Sequence, residues 1–162
     1  MSLTITDYPE FKELTLKSIF IAMLYHNSQY IMHSEPELNR RYGDLVMLLR
    51  PNMQKSGLFN LLFEFKQLSL NKIIESKDDE PDQGESKKRK KQNKTPLTGA
   101  EVKRKSRAEL LKIPAVEAEI TQAKTQLQHY QQVLRDEYGV DMNLSSFAVV
   151  GVGVERVVWV EM

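Results

Sequence analysis

The sequence predicts an α/β or α+β domain with one central sheet flanked by helices. Three observations predict it: an apolar helical segment comes first, two apolar runs of strand length follow, and a long amphipathic helix precedes two β-branched strands. The chain has 162 residues, of which 41% are hydrophobic. That length and composition suit a single domain, 1–162, with a modest core.

The first part of the chain alternates between helix and strand signals. Residues 10–24 predict a helix whose second half is apolar on nearly all sides and should therefore be buried. Residues 30–33 form a short extended candidate. The runs at about 42–50 and 58–66 predict strands, and the composition of residues 51–57 is typical of a turn.

A charged stretch at about 71–97 interrupts this pattern. It is acidic from Glu75 to Glu85 and basic from Lys87 to Lys91, with almost no large apolar side chains. Such a stretch cannot bury enough apolar surface to offset the entropy lost on ordering, so we expect a disordered insert. Its basic run is either a solvated linker or a phosphate-binding segment.

Helix signals return after the insert. Capping boxes at Thr98–Glu101 and Ser106–Glu109 can each begin a short helix, and Pro114 suits the first position of the next helix. Two β-branched strands, at 146–150 and 156–160, come last. Before these strands, one apolar stripe with alternating steps of four and three predicts a long helix: Val116, Ile120, Ala123, Leu127, Tyr130 and Leu134.

Composition narrows the classes of function. The net charge of +1 gives no overall field that would attract nucleic acid or a membrane. The absence of cysteine excludes a disulfide framework and thiolate metal sites. No apolar run reaches the roughly 20 residues of a membrane span. Since the first residues also lack the basic region of a signal peptide, we expect a cytoplasmic protein without a membrane partner.

Three charged residues in apolar strands are the main chemical signal. Burying an unpaired charge costs several kcal/mol, so Asp44, Glu64 and Lys66 require a reason to be there. Because side chains alternate across a strand, Glu64 and Lys66 share a face with Leu62, and Asp44 can face the same side if the two strands pair. Two carboxylates placed close together repel, and a divalent cation removes that conflict. Oxygen ligands without Cys or His favour Mg²⁺ or Mn²⁺.

A lysine beside such a cation could position water for hydrolysis of a phosphodiester. The Glu-x-Lys pattern alone is uninformative, since it occurs five times in the chain. Only the copy at Glu64 lies in an apolar strand that follows another apolar strand bearing an acid. The structural alternative is an ion pair between Glu64 and Lys66 at a sheet edge, with Asp44 in a turn.

The segments around these residues resemble the PD-(D/E)XK nuclease superfamily. They are Ser34-Glu-Pro-Glu-Leu-Asn-Arg-Arg-Tyr-Gly-Asp44 and Leu62-Phe-Glu-Phe-Lys66. More narrowly, the chain is similar to the nuclease-like domain found at the C-terminal end of bacterial proteins that begin with an AAA-ATPase-like domain. Further matching segments occur in family order, at residues 13–18, 123–130 and 146–159. The resemblance covers most of the chain except roughly 71–97.

The resemblance implies a restriction-endonuclease-like core of helix, three strands, helix and strand, with one central mixed sheet and the site at the sheet edge. It implies that Asp44 and Glu64 bind Mg²⁺ or Mn²⁺, assisted by the backbone carbonyl of Phe65. It also makes Lys66 the catalytic lysine. Gln126 matches the polar residue that the family places on the later helix.

The first-helix acid of the family is best matched by Glu13, with Glu35 as the alternative. Arg40 and Arg41, beside the expected site, are candidates to bind nucleic-acid phosphates. The implied function is metal-dependent hydrolysis of phosphodiester bonds in nucleic acid, with DNA as the expected substrate. The alternative is a non-catalytic domain that binds nucleic acid or a partner and regulates an associated ATPase. The implied partners are nucleic acid and an AAA-ATPase-like domain, fused or separate.

Overall fold

The computed structural model describes residues 12–26, 28–38, 41–75, 95–139 and 141–162. A five-stranded sheet lies at the centre of these residues, and helices flank it. The elements in chain order are α1 (Glu13–Leu24), β1 (Tyr30–Ser34), β2 (Glu37–Leu38), β3 (Arg41–Tyr42), β4 (Leu45–Leu49), β5 (Asn60–Leu68), β6 (Ile74–Glu75), β7 (Thr95–Pro96), α2 (Gly99–Arg104), α3 (Arg107–Leu111), α4 (Pro114–Tyr138), β8 (Leu144–Val152) and β9 (Arg156–Glu161).

The sheet has the strand order β1-β4-β5-β8-β9. β4 pairs antiparallel with both β1 and β5, and β8 pairs antiparallel with β9. β5 and β8 are parallel, from the pair Asn60 and Leu144 to the pair Leu68 and Val152. A parallel pair needs a long crossover connection, which here contains α4. The predicted mixed α/β architecture with one central sheet flanked by helices is therefore confirmed.

Alternation of side chains gives the sheet two different faces. The face on which α4 packs includes Val46, Leu62, Ala148 and Val150. The opposite face packs on α1 and includes Leu45, Met47, Phe63 and Phe65. Because Glu64 and Lys66 alternate with the two phenylalanines, they lie on the α4 face with Leu62, as the sequence predicted.

The long helix α4 follows its predicted pattern closely. Pro114 occupies its first turn, and all six residues of the predicted stripe are buried. Gly139 ends the helix with a φ of 103°, a conformation that residues with a Cβ rarely adopt. Both predicted capping boxes are present and begin α2 and α3.

The strand predicted at 42–50 is shorter than expected. Tyr42 belongs to the separate β2–β3 ribbon, where Gly43 donates its backbone N–H to the carbonyl of Pro36 at 3.1 Å. Asp44 lies in a bend immediately before β4, so placing it inside the strand was wrong. The pairing of β1 with β4 ends at Ser34 and Leu45, because Glu35, which donates its N–H to the Asp44 carbonyl, has a φ of 53° that does not suit a strand. The helix predicted from residue 10 is described from Glu13 onward, and residues 10 and 11 lie outside the described ranges. The expected burial of its second half was wrong, because only one side of α1 packs on the sheet and leaves Ile19 44% and Met23 78% exposed.

The bounds of about 71–97 expected for a disordered insert were too wide. Residues 71–75 and 95–97 have defined structure, because Ile73 and Leu97 are buried in the core and β6 pairs with β7. Residues 76–94, which carry most of the charge, lie outside the described part of the chain. Over the ranges that the structure describes, no helix is both long and apolar enough to cross a membrane.

Candidate active site

Asp44 is fixed to β5 by a hydrogen bond. The backbone N–H of Phe65 donates to Oδ2 of Asp44 at 2.7 Å. The pairing of β4 with β5 ends at Leu45 and Phe63, so this carboxylate replaces the next acceptor of the ladder. The N–H and C=O of one strand residue point to the same side. The carbonyl of Phe65 therefore faces the same end of β4 as the Asp44 carboxylate.

Glu64 and Lys66 form a buried ion pair on the α4 face. Nζ of Lys66 donates to Oε1 of Glu64 at 2.8 Å. The Lys66 side chain is 11% exposed and the Glu64 side chain is 3% exposed. The other carboxylate oxygen, Oε2 of Glu64, is buried without a hydrogen-bond partner among the described residues. Leaving a buried acceptor unsatisfied costs free energy. A proton or a cation at Oε2 would remove that cost.

The charges of this cluster oppose one another. Burial raises the pKa of Glu64, and the neighbouring charge of Asp44 raises it further, so that it reaches about 7 despite Lys66. Burial likewise raises the pKa of Asp44, although the Phe65 N–H lowers it. Burial lowers the pKa of Lys66, but the hydrogen bond and charge of Glu64, with Glu13 and Asp44, outweigh burial and raise it. Two carboxylates thus resist ionisation beside an ammonium that stays protonated.

Glu13 faces this cluster from the first turn of α1. Burial raises its pKa, and the charges that act on it are those of Lys66, Asp44, Lys17 and Glu119. Glu35, the alternative first-motif acid, is exposed and forms its ion pair with Lys17 instead. The charge of Glu13 raises the pKa of Glu64, and that of Glu35 raises the pKa of Asp44. Glu13 as the first-motif acid, with Glu35 as the alternative, stays a prediction.

Gln126 is placed by the register between α4 and the sheet. Nε2 of Gln131 donates to Oγ of the buried Ser146 at 2.8 Å, and Ser146 is level with Leu62. The helix rises about 1.5 Å per residue and the strand about 3.3 Å, so Gln126 lies roughly level with Glu64. Five helical positions correspond to a rotation of about 140°. Gln126 is therefore on the flank opposite Gln131, away from β8.

Oε1 of Gln126 is buried without a partner among the described residues, and so is Nε2 of His129. The spacing of His129 in the sequence gives no indication of a ligand role. Sequence reasoning also missed Lys17. In the structure this lysine is buried, and its Nζ is 3.9 Å from Oδ1 of Asp44. One signal could have indicated it: Lys17 follows Glu13 by four positions, so both share a helix face.

The structure does not test the two arginine candidates. Arg40 lies outside the described residues, and Arg41 is described as part of β3. Their phosphate-binding role stays a prediction. A groove of about 740 Å³ lies at the opposite end of β5, where Asn60, Leu49 and Tyr138 contribute to its lining. The groove is not lined by Glu13, Asp44, Glu64 or Lys66. We therefore do not take it as the candidate site, despite its volume.

A hard divalent cation suits the cluster chemically. Within the described ranges, no three or more His, Cys, Asp or Glu side chains form a metal-ligand group. The ligands expected here are only two carboxylates and a carbonyl, and Mg²⁺ commonly combines one or two carboxylates with several waters. The unpartnered Oε2 of Glu64 and its repulsion from Asp44 fit such a cation.

Comparisons with protein-family models, curated proteins and solved structures find no match for this chain.

Proposed function

We propose that the chain is a metal-dependent nuclease of the PD-(D/E)XK type, which hydrolyses phosphodiester bonds of nucleic acid, with DNA as the expected substrate. The observation that carries the proposal is the buried Glu64–Lys66 pair, with one carboxylate oxygen unpartnered, beside Asp44. The restriction-endonuclease-like topology is part of the proposal. The order α1, β1, β4, β5, α4, β8 supports it, because it supplies helix, three strands, helix and strand.

Asp44, Glu64 and the backbone carbonyl of Phe65 would hold Mg²⁺ or Mn²⁺. When bound, the cation would act as a Lewis acid towards water and towards a phosphate oxygen. Asp44 is suited to this role because one of its oxygens is held by the Phe65 N–H while Oδ1 is left to a weaker contact with Lys17. Glu64 is suited because a cation at Oε2 would compensate a buried carboxylate oxygen that has no hydrogen-bond partner among the described residues.

Lys66 would orient the attacking water and stabilise the charge that develops on the phosphate. Its raised pKa keeps it protonated at neutral pH, as this role requires. Its contact with Oε1 of Glu64 holds the ammonium in position before substrate arrives. Glu13 and Gln126 would act as supporting groups, one at the start of α1 and the other on α4.

The test is a cleavage assay on single-stranded DNA, double-stranded DNA and RNA of the same sequence, with Mn²⁺, with Mg²⁺ and with EDTA. We expect cleavage only with metal, its loss in Asp44→Ala, and its retention in Asp141→Ala, a matched exposed aspartate at the other end of the sheet. Binding without cleavage would instead favour the non-catalytic domain that regulates an ATPase. Cleavage by Asp44→Ala at the wild-type rate would contradict the proposed site.

A further inference from the structure

Lys17 is a second buried ammonium beside the candidate site. The residue is 6% exposed, on the side of α1 that carries Glu13. Lysine is almost never this buried unless it is paired. Its Nζ donates to Oε1 of Glu35 and is 3.9 Å from Oδ1 of Asp44. The role proposed for the cluster gives Lys17 no function.

The partner of Lys17 is a carboxylate that lies mostly in solvent. The Glu35 side chain is 59% exposed, so it can leave for water without being buried elsewhere. Its φ of 53° is in the left-handed region, which is unfavourable for a residue with a Cβ. Its backbone N–H donates to the carbonyl of Asp44 at 3.1 Å, which ties this conformation to the metal-ligand candidate. A buried cation is thus neutralised by an exposed anion on a strained backbone.

The charge balance of the cluster suggests what replaces Glu35. The carboxylates of Glu13, Asp44 and Glu64 are close enough to raise one another's pKa values. Lys66, the other ammonium, is already bound to Glu64. A polyanionic strand that approaches these carboxylates needs a cation to receive its phosphate. Lys17 becomes available as soon as the Glu35 carboxylate moves away.

We propose that Lys17 binds a phosphate of the nucleic-acid substrate, and that Glu35 occupies the place of that phosphate in the free protein. The inference rests on the proposed nuclease function and adds a substrate-binding residue to the same site. Binding exchanges one anion for another at Nζ of Lys17, so the ammonium never becomes buried without a partner.

The test is the salt dependence of binding, measured by anisotropy of a fluorescein-labelled duplex and its single strand, in EDTA and in Ca²⁺. Each lost phosphate contact lowers the slope of log K against log salt by about 0.9 for duplex or 0.7 for single strand. For Lys17→Met we expect that decrease. When salt falls from about 200 to 50 mM, the affinity of wild type should therefore gain about 3.5-fold over that of the variant for duplex and about 2.6-fold for single strand. Lys55→Met, an exposed lysine at the other end of the sheet, should keep the wild-type slope.

Glu35→Gln tests the exchange itself and keeps the side-chain shape. Its affinity should rise severalfold, because the phosphate no longer competes with a carboxylate. In the Lys17→Met background, the same substitution should have no effect. An equal gain in both backgrounds would show that Glu35 only repels nucleic acid at a distance and would overturn the proposed exchange.

The two levels of the proposal fail in different ways. If wild type binds and cleaves nucleic acid but Lys17→Met keeps the wild-type salt slope, the inference is wrong and the nuclease function stands. If wild type binds neither probe in either buffer, the proposed function fails and the inference fails with it. Lys17→Arg should restore the wild-type slope, since a guanidinium also binds phosphate.

Discussion

Asp44 accepts the backbone N–H of Phe65 at 2.7 Å, just beyond the point where β4 and β5 stop pairing. This bond fixes one oxygen of a carboxylate that the sequence alone left unanchored. It also joins two of the three expected metal ligands, since the Phe65 carbonyl faces the same side as its N–H. The stability of the carboxylate cluster and its proposed chemistry can therefore be tested with the same variants.

Replacing Lys66 by Met keeps the aliphatic stem and removes the ammonium. Because Lys66 is proposed to act on water and phosphate, cleavage should fall by about 100-fold or more. Metal binding should survive, because the expected ligand oxygens are unchanged. Cleavage rates and the thermal shift produced by Mn²⁺ measure the two effects separately. Lys72→Met, on an exposed turn, is the control and should resemble wild type. Normal cleavage by Lys66→Met would remove it from the catalytic site.

Replacing Gln126 by Leu should separate stability from activity. Since Oε1 of Gln126 is buried without a partner, the substitution should leave the free energy of unfolding unchanged or raise it by up to about 1 kcal/mol. Cleavage should fall by about 10- to 100-fold, as is typical when a supporting residue of a metal site is lost.

The matched control for Gln126 lies on the opposite flank of α4. Gln131→Leu removes the donor to the buried Ser146 and should cost about 1 kcal/mol of stability while leaving cleavage unchanged. Urea denaturation and cleavage rates distinguish the two variants. The reverse pattern, with Gln131 needed for cleavage and Gln126 only for stability, would contradict the placement of the site.

The metal-free protein should lose stability as pH rises towards neutral. Folding raises the pKa of Glu64 from 4.5 to about 7, because burial and Asp44 disfavour its charged form. The folded state therefore binds more protons between these values. The contribution of Glu64 is fully present below pH 4.5 and is lost as pH rises through about 7. The whole change is on the order of 3 kcal/mol. The raised pKa values of Asp44 and Glu13 act in the same direction.

Urea unfolding in EDTA across this pH range measures the effect. Glu64→Gln has no proton to bind at this position, so its stability should decrease less with pH than that of wild type. Parallel pH profiles for the two proteins would mean that the Glu64 carboxylate ionises in the folded state as easily as in water.

The sequence predicted the main helices, the five strands of the central sheet and the face of its central strand, but not the short β2–β3 and β6–β7 pairs. Simple alternation was enough to place Glu64 and Lys66 with Leu62, because β5 is a regular strand. The position of Asp44 was less predictable, since the β2–β3 ribbon and the left-handed φ of Glu35 depend on contacts across the turn rather than on periodicity. The ends of the charged insert were missed for a similar reason. Ile73 and Leu97 are isolated apolar residues in a polar stretch, and only the tertiary fold shows that they are buried.

Lys17 shows what the spacing of residues in the sequence cannot predict. Its spacing from Glu13 indicates a shared helix face, but its burial and its ion pair with Glu35 depend on how α1 packs against the sheet. The orphaned oxygen of Gln126 is similarly a property of the packed helix. The sequence could indicate which residue types belong to the site, but not which of their atoms lack partners.

The most direct test of the metal site compares wild type with Asp44→Asn in thermal melts, each with EDTA and with excess Mg²⁺ or Mn²⁺. Asn can still accept the Phe65 N–H but does not repel Glu64, so the metal-free variant should be more stable by on the order of 1 kcal/mol. Metal should stabilise wild type by about 1.4 kcal/mol at tenfold excess over its Kd, and should stabilise the variant little. A structural ion pair without metal predicts that Asn destabilises slightly or has no effect in EDTA. Equal metal-induced shifts in the two proteins would contradict a metal site at Asp44.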